Sequence, residues 1–216
     1  SIQQHFEALT VRFVGHWARQ TGLRNVALAG GVFANVRVNE EVHNLPEVDN
    51  VFIHPHMSDG GLGGGAALAA CVEGVLKTTM PRCREPLRDV YLGGDLSDEE
   101  IATALRKHGL RPERCEQPLE EEIADLLAQG VVVARASGRM EYGPRALGNR
   151  SILYQPTDRD VNDWLNERLN RSEFMPFAPA VLREECDRCF ENAPGAEHAA
   201  EFMTITFHCT PWAANS

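Results

Sequence analysis

Three arginines stand close together in residues 138–151 of a chain that is otherwise acidic. A guanidinium group binds phosphate or carboxylate through two parallel hydrogen bonds, and the glycines of this segment allow main-chain amides to join it. The segment, called the arginine loop below, predicts a site for a polyanionic small molecule. The alternative is a solvated basic loop that pairs with the protein's own acidic surface. The expected contact residues are Arg139, Gly143, Arg145, Asn149, Arg150 and Ser151.

Two further arginines, Arg168 and Arg171, precede the proline-rich residues 176–179. Their charge and their place in the sequence predict that they close the same pocket as the arginine loop.

Two glycine-rich segments, residues 30–35 and 58–65, each follow a short apolar run and precede a helical pattern. At such turns glycines let a ligand approach the backbone, and the start of the helix offers free N–H groups. The alternative is that the glycines serve only to end helices and allow tight packing. The expected ligand-binding residues are Gly30, Gly31, Asn35, Gly60 and Gly61.

Asp59 in the second glycine turn has no basic neighbour close in sequence. Its carboxylate is therefore expected either to cap the following helix, which is the safer interpretation, or to hold a divalent cation. His54 and His56 flank Pro55 and face the same way in an extended segment, which is compatible with a metal, although loop histidines are usually solvated.

The negative net charge of the chain limits the kinds of partner it is expected to bind. With 31 Asp and Glu against 21 Lys and Arg, the formal net charge is −10, which argues against general nucleic-acid binding. No apolar run approaches the roughly 20 residues that span a bilayer, and the start lacks the layout of a signal peptide. We therefore expect a cytoplasmic protein without a nucleic-acid or membrane partner.

The periodicity predicts an α/β fold. Expected helices cover residues 2–20, 32–43, 66–76, 97–108, 118–129 and 158–169, and expected strands or extended segments cover 25–29, 51–53, 131–136, 151–154, 177–182 and 202–207. Residues 54–65 and 138–150 are expected to be loops. Proline and arginine crowd into residues 81–88, which predicts a linker between residues 1–80 and residues 89–216.

The ordered motifs at residues 30–35, 58–61, 138–151 and 176–180 resemble the O-carbamoyltransferases of the nodulation-factor, cephamycin and tobramycin type. The resemblance implies that residues 1–80 are the last part of a Kae1-like domain with the actin-like ATPase fold. It also implies that residues 89–216 form a YrdC-like α/β domain, and that the chain is a fragment of a longer enzyme.

The resemblance further implies a two-step reaction. Carbamoyl phosphate and ATP form carbamoyl adenylate at the YrdC-like domain, where Arg139, Arg145, Asn149 and Arg150 are the expected catalytic residues. The Kae1-like domain then transfers the carbamoyl group to a hydroxyl of a small-molecule acceptor with the help of bound iron; Mg²⁺ with ATP is the other metal expected. On this basis Asp59 changes from an expected cap to an expected metal ligand.

Three departures from the family pattern limit the comparison. The metal-binding histidines of the family belong before residue 1, and its final His-Val-Asp-Gly-Thr stretch is expected beyond Ser216. Asn170 and Met175 stand where the family often has a lysine and an arginine.

Exposed apolar surface is expected to favour a homo-oligomer.

Two other functions remain open on the sequence. One is a hydrogenase-maturation carbamoyltransferase, in which the YrdC-like part comes first. The other is a non-catalytic module that retains phosphate recognition.

Overall fold

The computed structural model describes residues 1–72, 87–157, 160–170 and 177–214. The chain divides into two compact units. Unit 1 comprises Ser1–Val90, Tyr142–Arg145 and Val181–Ser216, and unit 2 comprises Tyr91–Glu141 and Ala146–Ala180. Most of the expected linker at residues 81–88 lies outside the described residues, so the predicted domain limits stay a prediction.

Unit 1 begins with helix α1 (Ile2–Thr21), as the apolar spacing predicts. Ser1 and Gln4 form a capping box at its start, and Gly22 ends it in the left-handed conformation. Strands β1 (Asn25–Leu28) and β2 (Asn50–Ile53) follow as a parallel pair. A parallel pair needs a crossover connection, which helix α2 (Val36–His43) supplies.

Both glycine segments fold differently from the expectation. The first contains a short 3₁₀ helix (Gly31–Ala34), and α2 starts only at Val36 because Asn35 caps it. The second contains a 3₁₀ turn (Asp59–Gly61), and α3 (Leu62–Val72) begins directly after it. The loop predicted to reach residue 65 was therefore too long, since alanines that favour helix follow the glycines at residues 63–65.

The core of unit 1 joins the first and last parts of the chain. Val51 donates its amide hydrogen to the carbonyl oxygen of Gly195 at 2.9 Å. The C-terminal segment contains α7 (Cys186–Cys189), α8 (Glu197–Glu201) and α9 (Pro211–Ala214). The buried core consists of Val14, Leu28, Val42, Val51, Ile53, Met57, Ala196, Ala199 and Ile205.

The strand predicted at residues 202–207 is wrong. Asn39 is fully buried, and its side-chain amide donates to the carbonyl oxygen of Thr204 at 2.7 Å. The amide of Thr204 donates to the carbonyl oxygen of Ala199 within α8. The alternation of residues along this segment thus reflects packing within unit 1, since both backbone groups of Thr204 are bonded outside any strand ladder.

Unit 2 contains α4 (Asp98–Lys107), α5 (Leu119–Ala128), an antiparallel pair β3 (Val133–Ala136) and β4 (Arg150–Leu153), and α6 (Val161–Arg168). These elements confirm the predicted ones to within a few residues. Ser97 and Glu100 form the capping box that their spacing predicts. Residues 177–182, which were expected to be extended, form no described strand.

The described residues thus form a mixed helix and sheet structure that is consistent with the α/β class. Within this part of the chain, every helix is too short or too polar to cross a membrane.

Candidate functional site

The two glycine turns of unit 1 lie beyond the carboxyl ends of its two parallel strands. The parallel register pairs Leu28 with Ile53, so β1 and β2 end together and each leads into a glycine turn. The amide of Gly30 donates to the carbonyl oxygen of Met57 at 2.7 Å, which joins the connections that follow the two strands. Ligands of α/β proteins bind characteristically at the carboxyl ends of parallel strands.

The middle of the arginine loop, Tyr142–Arg145, belongs to unit 1. The Tyr142 ring lies edge-on to the rings of His54 and His56, with centroids 5.9 and 4.9 Å away. Gly143 has φ 121°, and a Cβ there would meet the carbonyl oxygen of Pro55 at 3.0 Å. Only glycine therefore adopts this backbone conformation without strain and packs this closely against Pro55, which lies between the two histidines.

Arg145 reaches the first glycine turn. Its Nη2 donates to the carbonyl oxygen of Ala34 at 3.3 Å. Its Nε is buried and has no partner among the described residues. Its Nη1 also makes no hydrogen bond with the described residues, so this guanidinium retains capacity to bind an anion beside the turn.

Close packing against His56 explains why residues 60 and 61 are glycines. A Cβ on Gly60 would collide with the ring of His56, and one on Gly61 would collide with the His56 carbonyl oxygen. Gly30 differs, because it has φ 111° and no atom lies within 4 Å of where its Cβ would be. The tight-packing alternative thus explains Gly60 and Gly61, while the surface beside Gly30 is open to a ligand. Gly31 lies within the first 3₁₀ helix.

The side chain of Asn35 caps helix α2. Its side chain accepts from the amide of Val38 at 3.2 Å and donates to Gln3 at 2.9 Å. The predicted ligand contact at Asn35 therefore competes with capping of α2.

Asp59 is exposed, and its carboxylate makes no hydrogen bond or ion pair with the described residues. The safer interpretation, a helix cap, is therefore not what the structure shows. Within the described ranges, no three His, Cys, Asp or Glu side chains come together as a metal would require. His54 Nδ1 instead accepts from the amide of His56 at 3.1 Å. These residues alone do not fit an iron centre.

Unit 2 holds the two ends of the arginine loop around Glu141, a residue that the sequence analysis did not select. Glu141 is 9 % exposed. Its Oε1 accepts hydrogen bonds from the amides of Leu147, Asn149 and Arg150 at 2.9, 2.7 and 3.1 Å. Burial raises the pKa of the Glu141 carboxyl, but these donors, with its own amide, bring the pKa below its ordinary value.

Most polar groups of the loop ends are bonded within unit 2. Arg150 Nη1 donates to the carbonyl oxygens of Ser137 and Asn149, both at 2.8 Å, and its Nη2 donates to Gly138 at 3.1 Å. Ser151 Oγ accepts from the amide of Gly148 at 2.8 Å. Arg150 and Ser151 therefore brace the loop, which is a structural role the sequence did not reveal.

The Arg139 side chain is exposed and makes no hydrogen bond or ion pair with other described residues. Its main-chain carbonyl oxygen accepts a hydrogen bond from Asn149 Nδ2 at 2.8 Å. Arg168 is exposed at the end of α6 and no bond among the described residues joins it to the loop, whereas Arg171 lies outside the described residues. Of the arginines of the loop, Arg139 in unit 2 and Arg145 in unit 1 therefore retain the most capacity to bind an anion.

The residues that sequence reasoning missed are Arg135, Glu141 and Tyr142. Arg135 Nη1 donates to the carbonyl oxygen of Gly148 at 2.7 Å. The available signal was Glu141, an acidic residue within an otherwise basic loop. A lone charge of the opposite sign in such a segment indicates an internal partner.

Two family models match the chain. The model of the carbamoyltransferase N-terminus matches residues 1–68, and that of the carbamoyltransferase C-terminus matches residues 124–216. The two matches together include both glycine turns and the whole arginine loop, in the order that the motifs predict.

Curated relatives agree with this result. The chain is 35% identical over 209 residues to nodulation protein NolNO of Sinorhizobium fredii, covering 95% of this chain and 30% of that protein. It is 36% identical over 200 residues to nodulation protein NolO of Bradyrhizobium diazoefficiens, covering 90% of this chain and 35% of that protein. The chain thus spans about a third of the length of these relatives. With both family models matched in order, the chain belongs to the carbamoyltransferase family.

Proposed function

We propose that this chain contributes to an ATP-dependent O-carbamoyltransferase, in which water releases phosphate from carbamoyl phosphate and the resulting carbamate reacts with ATP to yield carbamoyl adenylate and pyrophosphate. The carbamoyl group then passes to a hydroxyl of a small-molecule acceptor, with AMP as the leaving group. The proposal includes the fold assignment, with a Kae1-like part in residues 1–80 and a YrdC-like part in residues 89–216. Family membership supports carbamoyl transfer.

The observation that carries the proposal is the position of Arg145 beside the first glycine turn. The Gly30 surface is open, and the Arg145 guanidinium has a buried Nε without a partner among the described residues. A phosphate of a nucleotide supplies an acceptor for the outer guanidinium N–H groups, since Nη1 makes no hydrogen bond with the described residues, and the carboxyl ends of parallel strands are the usual place for such ligands. The role proposed for Arg145 is to bind and orient the phosphate of ATP or of the adenylate.

The arginine loop in unit 2 offers the guanidinium of Arg139 for a second anion. Carbamoyl phosphate is the anion that the proposed first step requires. Arg150 and Glu141 keep the loop in shape, and Arg139 then contributes charge to bind the substrate and stabilise phosphate oxygens.

A metal ligand role for Asp59 belongs to this proposal and depends on ligands from outside the described residues. Its carboxylate is exposed and unpaired within them, so replacement leaves no local partner behind. In the complete enzyme, Asp59→Asn should abolish acceptor carbamoylation and preserve carbamoyl adenylate formation. Loss of both steps, or of neither, would contradict this assignment.

Pyrophosphate release from ATP is the direct test of the proposed function. In the complete enzyme, release should depend on carbamoyl phosphate and should fall in Arg145→Ala but not in Arg12→Ala, which removes an exposed arginine from α1. Nucleotide binding without release under any condition would favour the non-catalytic module instead.

A further inference from the structure

Four consecutive amides of the arginine loop, those of residues 147–150, are all bonded inside unit 2. Three of them donate to Glu141 Oε1, and the amide of Gly148 donates to Ser151 Oγ. Successive N–H groups that converge on one point form a nest of the kind that binds phosphate or other anions. Here the anion is a side chain of the protein itself.

The carbonyl groups of the same stretch are also occupied. Tyr91 donates its hydroxyl to the Leu147 oxygen at 2.8 Å, and Arg135 donates to the Gly148 oxygen at 2.7 Å. The amide of Ser137 donates to the Asn149 oxygen at 3.0 Å. The expectation that main-chain amides join the arginines in binding a ligand therefore fails at residues 147–150.

A short series of contacts links Glu141 to the exposed arginine of the loop. Glu141 bonds the amide of Asn149, and the Asn149 side chain holds the carbonyl oxygen of Arg139. The Arg139 guanidinium is exposed and unpaired among the described residues, so these contacts hold the main chain from which its side chain extends.

We propose that Glu141 is the positioning residue of the arginine loop, a built-in anion that fills the nest of residues 147–150 and fixes Arg139 for a phosphate-bearing ligand. The ligand class rests on the proposed function, whereas the filled nest does not. Anion recognition by the loop then comes from side chains, because the nest is closed to substrate.

The test uses this chain with Glu141→Ala, and Glu113→Ala as the control, since Glu113 is an exposed glutamate of unit 2 without a bond to described residues. Hydrogen exchange at the amides of Leu147, Asn149 and Arg150 should become roughly tenfold faster in Glu141→Ala, the loss expected for one charge-assisted bond. Sodium formate should restore protection in Glu141→Ala by occupying the vacated nest, and should leave the control unchanged. Unchanged exchange, or exchange that formate does not slow in a folded variant, overturns the proposal.

Pyrophosphate binding by calorimetry supplies the second readout. Affinity should fall about tenfold in Glu141→Ala and recover with formate, which a general loss of stability does not explain. Failure of the wild type to bind pyrophosphate would count against the proposed function, and amide exchange alone would then decide the role of Glu141.

A second variant keeps the test decisive if Glu141→Ala does not fold. Glu141→Gln retains an acceptor oxygen but not the charge, and it should raise exchange at the same amides relative to Glu113→Gln. Equal exchange in these two variants would overturn the proposal.

Discussion

The guanidinium of Arg145 and the carbonyl oxygen of Ala34 are hydrogen-bonded at 3.3 Å, although 111 positions separate the two residues. Both lie in unit 1, so the middle of the arginine loop packs with the first glycine turn. In the sequence, the loop and the glycine turns are separate motifs that predict two separate anion sites. The structure instead divides the loop, with Arg145 in unit 1 and Arg139 in unit 2.

Replacement of Arg145 should weaken nucleotide binding. A charge-assisted contact to phosphate is worth roughly 1.5 to 3 kcal/mol, so Arg145→Ala should lower the affinity for ATP by about tenfold or more. Calorimetry with Arg12→Ala as the control measures this effect, because Arg12 is exposed on α1. Equal affinities of the wild type and Arg145→Ala would remove Arg145 from the site.

Replacement of Asn39 should destabilise unit 1. Its fully buried side chain donates to the carbonyl oxygens of Phe33 and Thr204 at 2.8 and 2.7 Å, which holds the first glycine turn against the C-terminal segment. Asn39→Ala leaves these oxygens without their side-chain donor and should lower the free energy of unfolding by about 2 to 4 kcal/mol. Chemical denaturation measures the change.

The matched variant Asn39→Asp replaces the donating amide by an acceptor. It should destabilise unit 1 at least as much as Asn39→Ala, because oxygen then faces oxygen at both contacts. A stability loss below about 0.5 kcal/mol, the range of surface substitutions, would contradict the role given to Asn39.

Glu141 should make the stability of the loop depend on pH. Because the pKa of its carboxyl is lower in the folded protein than its ordinary value, the charged form stabilises the fold above the ordinary pKa. That contribution is lost as the pH falls through the lowered pKa. The difference in unfolding free energy between the wild type and Glu141→Gln should therefore be constant from about pH 7 to pH 5 and should shrink below about pH 4.

Denaturation at several pH values measures this difference, with Glu99→Gln as a control on the exposed first turn of α4. A difference that grows as the pH falls would show that the carboxyl is stabilised in its protonated form, contrary to the arrangement of its three amide donors.

The exposed apolar face of α1 should promote self-association. Phe13 and Trp17 are 66 % and 52 % exposed and lie four residues apart, on one face of the helix. Light scattering should detect oligomers of the wild type, and the double change Phe13→Ser with Trp17→Ser should reduce them. Leu110→Ser, which removes an exposed apolar residue of unit 2, serves as the control. A strictly monomeric wild type would disprove the association.

The sequence by itself determined the elements whose causes are local. The spacing of apolar residues predicted α1 and the cap at Ser97 predicted α4, because capping and helical periodicity act within a few residues. The family followed from motifs in order along the chain, which needs no knowledge of contacts. Local signals also indicated that residues 138–151 concentrate cationic groups.

Only the tertiary structure decided what these groups do. Arg145 and Arg150 look alike in the sequence, yet Arg150 bonds loop carbonyls and Arg145 reaches Ala34 with an unpaired Nε. Apolar and polar residues alternate along residues 202–207 as in a strand, but the Asn39 side chain donates a hydrogen bond to the backbone oxygen of Thr204. Such outcomes depend on partners far along the chain, because a buried polar group is satisfied by whichever donor packing brings to it.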